Sequence, residues 1–352
     1  MNASGAETPA TETSGTDTSS LPALSVVVAN YNQAHYLPGT LEELENQSIR
    51  PLEVIVVDDA STDNSRAVVE NFAVAHPYVR LVRQAENLGV NATFNRGLEE
   101  AKGDCVYFFS ADDHVTPDFA ETYLSFLARH PGAAFCFSDP AEIIGDSGKR
   151  RDFSLFISDT PRALSGPEMM QLLSRSFFTF TSNSVVYRRH ALMETGGHPE
   201  ALDWQADWFV NHALAFRHGA CYLPGVYCPT RMLGGSFSAQ GLADTGEQKT
   251  RVLRALDLLR QEAFADVAPA FRQAGVLPEM SLRAVAWAAA SPVYRWYLSA
   301  KLLRRACAFS LWSLFRPLLP YPARRFTRWL FAGLTCRWRS ELRGGSGSRA
   351  ES

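Results

Sequence analysis

Between residues 24 and 138 the chain repeats one pattern: a short apolar run, an abrupt polar stop, then an amphipathic stretch of helical period. The runs LSVVVANYN, EVIVVDD, YVRLVRQ, DCVYFFSADD and GAAFCFSDP have the length and the β-branched or aromatic character of buried strands. Between them YLPGTLEELENQ, NSRAVVENFAVAH, VNATFNRGLEEAK and PDFAETYLSFLARH read as helices; Leu37, Leu41 and Leu44, for example, recur at intervals of four and three. Strands that are apolar throughout need cover on both faces, and strand–helix–strand units return to one sheet with parallel, right-handed pairing. The pattern therefore predicts an α/β fold, a mainly parallel sheet flanked by helices.

Two of these strands end in adjacent acids, Asp58 and Asp59 in VIVVDDASTD and Asp112 and Asp113 in YFFSADDH. In an open α/β sheet, ligands bind outside the carboxyl ends of the parallel strands, so the two pairs can line one crevice. Adjacent carboxylates repel unless water, hydrogen bonds or a hard cation offsets their charge. One reading of Asp112 and Asp113 is divalent-cation binding. The structural alternative is that Asp113 and Thr116 cap the next helix, as Ser61 or Asp63 can cap the helix after Asp59. The first strand turns through Ala29, Asn30, Tyr31 and Asn32 rather than GxGxxG, and no GxxxxGK[ST] loop is present. Both absences weigh against dinucleotide redox chemistry and P-loop nucleotide hydrolysis.

Residues 140 to 180 mix Gly, Pro and charge with weak periodicity and read as an insertion or a mobile loop beside a site. The pattern resumes with SNSVVYRR, a tight turn at Gly196 and Gly197, and a helix in WQADWFVNHALAFRHGA that carries Asp207 near its start. A helix dipole favours an acid there, so a purely structural role for Asp207 stays open.

At 352 residues and 46% hydrophobic composition the chain can bury a substantial core, as one large domain or a domain with an appendage. Its charge is divided. Residues 283 to 343 hold twelve Arg or Lys and one acid, so this segment carries +11 and the remainder of a chain at −3 carries −14. Five of the seven tryptophans lie there, namely Trp287, Trp296, Trp312, Trp329 and Trp338. Six scattered cysteines, without CxxC pairs, fit a reducing compartment better than a disulfide scaffold. No apolar run reaches the roughly 18–20 residues of a membrane-spanning helix. Residues 250 to 343 read as several helices broken at Pro278, Pro292, Pro317, Pro320 and Pro322. Between Leu298 and Arg316 a basic stripe of Lys301, Arg304 and Arg305 adjoins an apolar arc, which suits a helix lying on an anionic membrane surface. The alternative is a helix packed on the α/β core with a solvated basic edge. No nucleic-acid recognition module is visible, and nucleic acid is not an expected partner.

From Ser25 to about Tyr227 the sequence resembles the family 2 glycosyltransferases, with SVVVANYN, VIVVDDASTD, YFFSADDH and ETGGHPEALDWQADW in the expected order. The resemblance implies a GT-A-like fold for residues 23–240. Around it stand a disordered tail at 1–22, a helical, basic, Trp-rich C-terminal appendage at 241–343 and a second tail at 344–352. It further implies a nucleotide-sugar site of Ala29, Asn30, Tyr31, Asp58, Asp59, Asn87 and Asp112, and a divalent metal, Mg²⁺ or Mn²⁺, on Asp113 and Asp112. Asp207 matches the catalytic base, and Gly196, Gly197 and Trp208 fall on the acceptor side. Two positions depart from the family pattern: Ser110 stands where an acid opens the Asp-x-Asp-Asp motif, and Ala206 stands where an acid often precedes the base.

The expected activity is inverting transfer of a single sugar from a nucleotide-sugar donor to a glycan or lipid-linked acceptor in cell-surface polysaccharide assembly. It is expected in the cytoplasm, peripheral at the inner face of the cytoplasmic membrane. The absence of a QxxRW motif argues against a processive synthase. A nucleotidyltransferase, which also needs acids at strand ends, and a catalytically silent glycan-binding or scaffolding member are the alternatives.

Overall fold

The computed structural model describes residues 21–145, 148–176, 178, 180–232, 245–281 and 283–315. Strands β1 (Leu24–Asn30), β2 (Glu53–Asp58), β3 (Val79–Arg83) and β4 (Cys105–Ser110) form a parallel half-sheet in the order β3-β2-β1-β4. Helices α1 (Leu37–Glu45), α2 (Ser65–Ala75) and α3 (Val90–Glu100) make the crossovers. Asn30 pairs in register with Asp58, and Ala29 with Ser110, so the polar ends of the three strands finish level. Alternation within the strands supplies two cores. Val26, Val28, Val54, Val56, Tyr107 and Phe109 are buried on one face; Val27, Ile55, Val57, Val106 and Phe108 are buried on the other. Each such side chain contributes about 1.5–3 kcal/mol on burial. On α3, Gly97 lets the helix lie against β1: a Cβ there would stand 2.1 Å from Val27 Cγ1.

Beyond α4 (Phe119–Arg129) the sheet continues through β5 (Phe135–Ser138), but the strand between β4 and β5 is β9 (Val185–Arg188), antiparallel to both. The segment 140–180, expected as an insertion or mobile loop, is instead largely built. It holds a short hairpin, β6 (Ala141–Ile144) and β7 (Lys149–Asp152), the edge strand β8 (Arg162–Leu164), and α5 (Gly166–Arg175). These strands are only three or four residues long and β7 is fully exposed, so their sequence carries no alternation. The capping box at the start of α5, Ser165 with Glu168, is the local signal that starts a helix in this segment. Then come α6 (Arg189–Glu194), α7 (Ala206–His218), β10 (Ala220–Leu223) and β11 (Pro229–Met232), the last pairing in parallel with β6.

Residues 245–315 form α8 (Thr245–Leu258), α9 (Ala268–Ala274), α10 (Ala284–Ala290) and α11 (Ala300–Phe315), with 3₁₀ turns at Leu277–Glu279 and Pro292–Tyr297. Val252, Leu256, Phe264, Phe271, Leu277, Tyr297 and Leu302 join the same apolar core as Val27, Phe135 and Phe209. The basic stripe needs correction at one member. Arg304 is exposed, but Arg305 is buried: its guanidinium donates to Glu279 Oε1 at 2.7 Å and to the Ser176 carbonyl at 2.8 Å, so it faces protein rather than lipid. A buried carboxylate supplies the physical reason, since Glu279 itself is only 3% exposed. The side chain of Trp312, together with Trp329, Trp338 and both expected tails apart from Leu21 and Pro22, lies outside the described residues. Among the described residues, no helix is long and apolar enough to cross a membrane.

Candidate active site

A cavity of about 760 Å³ opens where β1, β2 and β4 end. It brings together Ala29, Asn30, Tyr31, Asp59, Asn87, Asp112, Asp113 and Asp207 from the residues singled out in the sequence. Asp58, Gly196, Gly197 and Trp208 are not among its lining residues.

At one end the walls are tied tightly together. Asp59 Oδ1 accepts from Gln84 Nε2 at 2.7 Å and the Leu88 N–H at 2.8 Å, and Oδ2 accepts from the Gly89 N–H at 2.9 Å. Asp59 thus fixes the loop that carries Asn87 and leads into α3. Asp58 is fully buried and accepts from Arg66 Nε at 2.7 Å and Asn30 Nδ2 at 3.1 Å. Asn32, at φ +55°, accepts from the Thr62 N–H and donates its own N–H to Ser61 Oγ, joining the loops after β1 and β2. Tyr31 stays 47% exposed at this mouth, a free aromatic face beside the tied loops.

The middle of the cavity holds the second acid pair. Asp113 is buried and accepts one protein hydrogen bond, from the Arg231 N–H at 2.9 Å. Burial first, and then the neighbouring Asp112 charge, push its carboxyl up to about 8. Arg231, on β11, also donates Nε to the Asp112 carbonyl at 3.1 Å and Nη2 to His114 Nε2 at 2.5 Å. Because Nε2 accepts, His114 presents Nδ1–H, which donates to Glu43 at 2.6 Å; Glu43 in turn accepts from the Val115 N–H. The chain Glu43–His114–Arg231 locks the backbone around both acids. Ser110 lines the cavity beside them. Among the described residues there is no cluster of three or more metal-ligating side chains. A carboxylate pair short of donors, with Asp113 buried and Asp112 half-buried, nonetheless fits a Mg²⁺-like ion, which is held by one or two carboxylates and completed by water and phosphate.

At the far end, Asp207 sits in the first turn of α7 and accepts from Ser182 Oγ and from the Trp208 N–H at 2.7 Å. Burial raises its proton affinity in spite of these bonds. Ala206 is fully buried in the apolar core, so an acid there would not face the cavity. Trp208 turns the same way, its indole N–H 3.4 Å from Glu279 Oε2. Gly196 and Gly197, at φ +78° and +79°, end α6 by donating to the Met193 and Leu192 carbonyls. A Cβ on Gly197 would meet Asn95 Oδ1 at 2.5 Å, and Asn95 also holds both backbone groups of His198, which does line the cavity.

Several lining residues had not been singled out: Arg231, Ser182, Asn183, His198, Trp204 and Thr230. Thr230 and Arg231 lie on the four-residue β11, Ser182 and Asn183 on the 3₁₀ turn Ser182–Ser184 before β9, and His198 and Trp204 in the segment before α7, where no period marks them. Ser182 and Asn183 lie inside SNSVVYRR, and His198 and Trp204 inside ETGGHPEALDWQADW, but neither motif assigns them a role.

A parallel half-sheet with an acid pair at the end of β4, facing a carboxylate at the start of α7, defines a GT-A type fold. Residues 25–196 match the family described as Glycosyl transferase family 2. The chain thus matches a family 2 glycosyltransferase domain over just under half of its length. It is 31% identical over 208 residues to the uncharacterized glycosyltransferase YibD of Escherichia coli, covering 55% of this chain and 58% of that protein. To the putative teichuronic acid biosynthesis glycosyltransferase TuaG of Bacillus subtilis it is 32% identical over 117 residues, 33% and 46% of the two chains. The chain therefore spans only about half the length of these two relatives.

Two solved structures share the fold. Mannosyltransferase PcManGT of Pyrobaculum calidifontis, in complex with GDP-Man and Mn²⁺, superposes with a TM-score of 0.51 at 20% identity, over 90% of this chain and 86% of that one. S. aureus TarS 1–349, in complex with UDP-GlcNAc, gives 0.54 at 18%, over 89% and 90%.

Proposed function

We propose that this chain is an inverting, metal-dependent glycosyltransferase that moves one sugar from a nucleotide donor to a glycan or lipid-linked acceptor in cell-surface polysaccharide assembly. The observation that carries this reading is the pairing of two unlike carboxylate environments in one cavity. Asp113 is buried beside Asp112 with a single protein donor, and Asp207 is held by Ser182 with its proton affinity raised. GDP-Man with Mn²⁺ in PcManGT, UDP-GlcNAc in TarS and the teichuronic acid biosynthesis for which TuaG is named support the donor class, the metal and the pathway class.

In this reading Tyr31, Asn87 and Asp59 border the nucleoside, with Asp59 keeping its loop in place. Asp112 and Asp113 would hold the divalent cation, whose chemistry is to neutralise charge on the diphosphate leaving group. Asp207 receives the proton of the acceptor hydroxyl, and its raised proton affinity suits a general base. A single displacement by that hydroxyl inverts the anomeric carbon without a covalent sugar–enzyme bond. Exposed Arg304, Leu303, Leu311 and Leu314 on α11 support a peripheral contact with an anionic membrane, where a lipid-linked acceptor would be presented.

The test is a donor screen with UDP- and GDP-sugars in Mg²⁺ or Mn²⁺, reading hydrolysis and protection against thermal unfolding. Release of a nucleoside diphosphate is expected. No nucleoside diphosphate from the sugar nucleotides, with pyrophosphate released in a parallel incubation of nucleoside triphosphates and sugar 1-phosphates, would instead make the chain a nucleotidyltransferase, and binding without turnover in the presence of acceptor extracts would make it a silent member of the fold.

A further inference from the structure

Asp207 is gripped from two sides. Its Oδ1 accepts the Trp208 N–H at 2.7 Å, within the first turn of α7, and its Oδ2 accepts the hydroxyl of Ser182. The 3₁₀ turn Ser182–Ser184 that supplies this hydroxyl is itself firmly anchored. Ser184 donates its N–H at 2.9 Å and its hydroxyl at 2.8 Å to the Thr181 carbonyl. The Asn183 carbonyl accepts from Tyr107 Oη at 2.8 Å, the Ser184 carbonyl from Tyr123 Oη at 2.9 Å, and Asn183 Nδ2 donates to the Cys228 carbonyl at 3.0 Å. Tyr107 on β4 and Tyr123 on α4 are fully buried. Asn183 and Ser184 are buried too, whereas Ser182 is exposed at the cavity wall. The core thus holds the turn still and leaves the Ser182 hydroxyl at the cavity. Because Tyr107 belongs to the strand whose end presents Asp112 and Asp113, the same turn ties Asp207 to the strand that carries the acid pair.

A carboxylate bonded at one oxygen can still swing about its Cβ–Cγ bond. Bonded at both, to a helix and to a separate turn, it keeps one plane. A carboxylate offers about four lone-pair sites, so these two bonds fix the plane and leave room for the proton of an incoming hydroxyl. A general base acts only within hydrogen-bond reach of that proton, and misplacement lowers the rate steeply. The bond acts on charge as well. Burial favours the neutral acid, and the Ser182 hydroxyl, which donates to the ionised form, works against it. The other groups that bear on Asp207 are His212 farther along α7, Tyr187 on β9, Glu279 behind Trp208, and Asp112 and Asp113 in the same cavity. Among the described residues, Ser182 is the one side chain that donates a hydrogen bond to the Asp207 carboxylate.

We propose that Ser182, on a turn anchored by Tyr107 and Tyr123, is a positioning residue that aims the Asp207 carboxylate at the acceptor hydroxyl. This rests on the glycosyltransferase reading above, and the experiment separates the two. The full-length protein is assayed in Mn²⁺ for hydrolysis of UDP-GlcNAc, UDP-glucose and GDP-mannose, with water as the acceptor, as a function of pH. Donor dissociation constants are read by calorimetry. Ser182→Ala is expected to lower kcat about thirtyfold and to leave the donor dissociation constant within about twofold, as for one lost hydrogen bond to a charged group. Because the lost donor favoured the ionised base, the acid limb of the kcat–pH profile should move up by about one pH unit. Ser182→Thr, which keeps a hydroxyl, should recover most of the rate and return the limb. If wild type turns over none of the donors, the glycosyltransferase reading and the positioning role fall together. If wild type turns over a donor but Ser182→Ala leaves the acid limb in place, or Ser182→Thr behaves as Ser182→Ala does, the positioning role alone falls. It also falls if Ser182→Ala weakens donor binding as much as it slows turnover, because Ser182 would then be a donor contact.

Discussion

The acid pairs at the ends of β2 and β4 look alike in sequence, yet the structure treats them oppositely. Asp58 and Asp59 are surrounded by donors, from Arg66, Asn30, Gln84 and the Leu88 and Gly89 amides. Asp113 has one such donor and a like charge next to it. A saturated pair is a fastening that holds loops together. A pair left short of donors stores a demand for positive charge, which a cation can meet. Sequence position places both at the crevice, but the difference in role lies in what the following loops bring to each.

The largest expected effect tests that contrast at its weaker-bonded member. Asp113→Asn keeps size and loses charge, and is expected to lower metal-supported transfer by at least about a thousandfold. The folded state should not suffer, since an unfavourably buried carboxylate is removed. The check is turnover together with the rise in unfolding temperature on adding Mn²⁺, which wild type should show and the variant lack; a metal response that persists would erase the distinction between the pairs. Next, Asp207→Asn should cost about a hundredfold in the chemical step with donor affinity kept, read by single-turnover kinetics against calorimetry. Loss of donor binding with normal chemistry would move Asp207 to the donor side.

Asp58→Asn should do the reverse of Asp113→Asn. With Arg66 39% exposed on the other side of the pair, the loss is expected near 2 kcal/mol of stability in urea unfolding, with metal affinity unchanged. A variant that stays as stable as wild type but loses metal binding would reverse the assignment of the pairs. The smallest effect concerns acid. His198 is held near 4, below an unfolded value of 6.5, so the unfolded chain binds the extra proton between these values and stability falls as pH drops from about 6.5 to about 4. Wild type and His198→Phe should therefore differ in the slope of stability against pH across that window, and equal slopes would place His198 in contact with solvent.

The half of the fold built from local repeats was legible. Strands β1 to β5 and their helices follow from apolar period and length, and the level ends of β1, β2 and β4 put Asn30, Asp59 and Asp113 together. The antiparallel β9 between β4 and β5 was not legible, because pairing between distant strands leaves no local trace. Arg231 was invisible for the same reason: it reaches Asp113 from more than a hundred residues away, through a parallel pairing of β6 with β11. Trp208 and Asp207 are neighbours in sequence, yet only Asp207 lines the cavity; helical period sets their faces, and an acid-containing motif does not reveal which face is buried. Lys301, Arg304 and Arg305 read as one stripe because Glu279, the partner that draws Arg305 inward, lies in a separate segment.

The buried pair of Arg305 with Glu279 also has a meaning for how the molecule is made. Glu279 touches Trp208 and lies 3.5 Å from His212, both on α7, the helix that carries Asp207. A chain growing from its amino end has every cavity acid in place long before residue 305 is synthesised, but until then the helix bearing Asp207 rests against a carboxylate without its counter-charge. An interrupted product therefore carries all the reacting groups and an unfinished support beneath one of them. Packing of α11 thus supplies the positive charge that completes the support beneath the helix carrying Asp207.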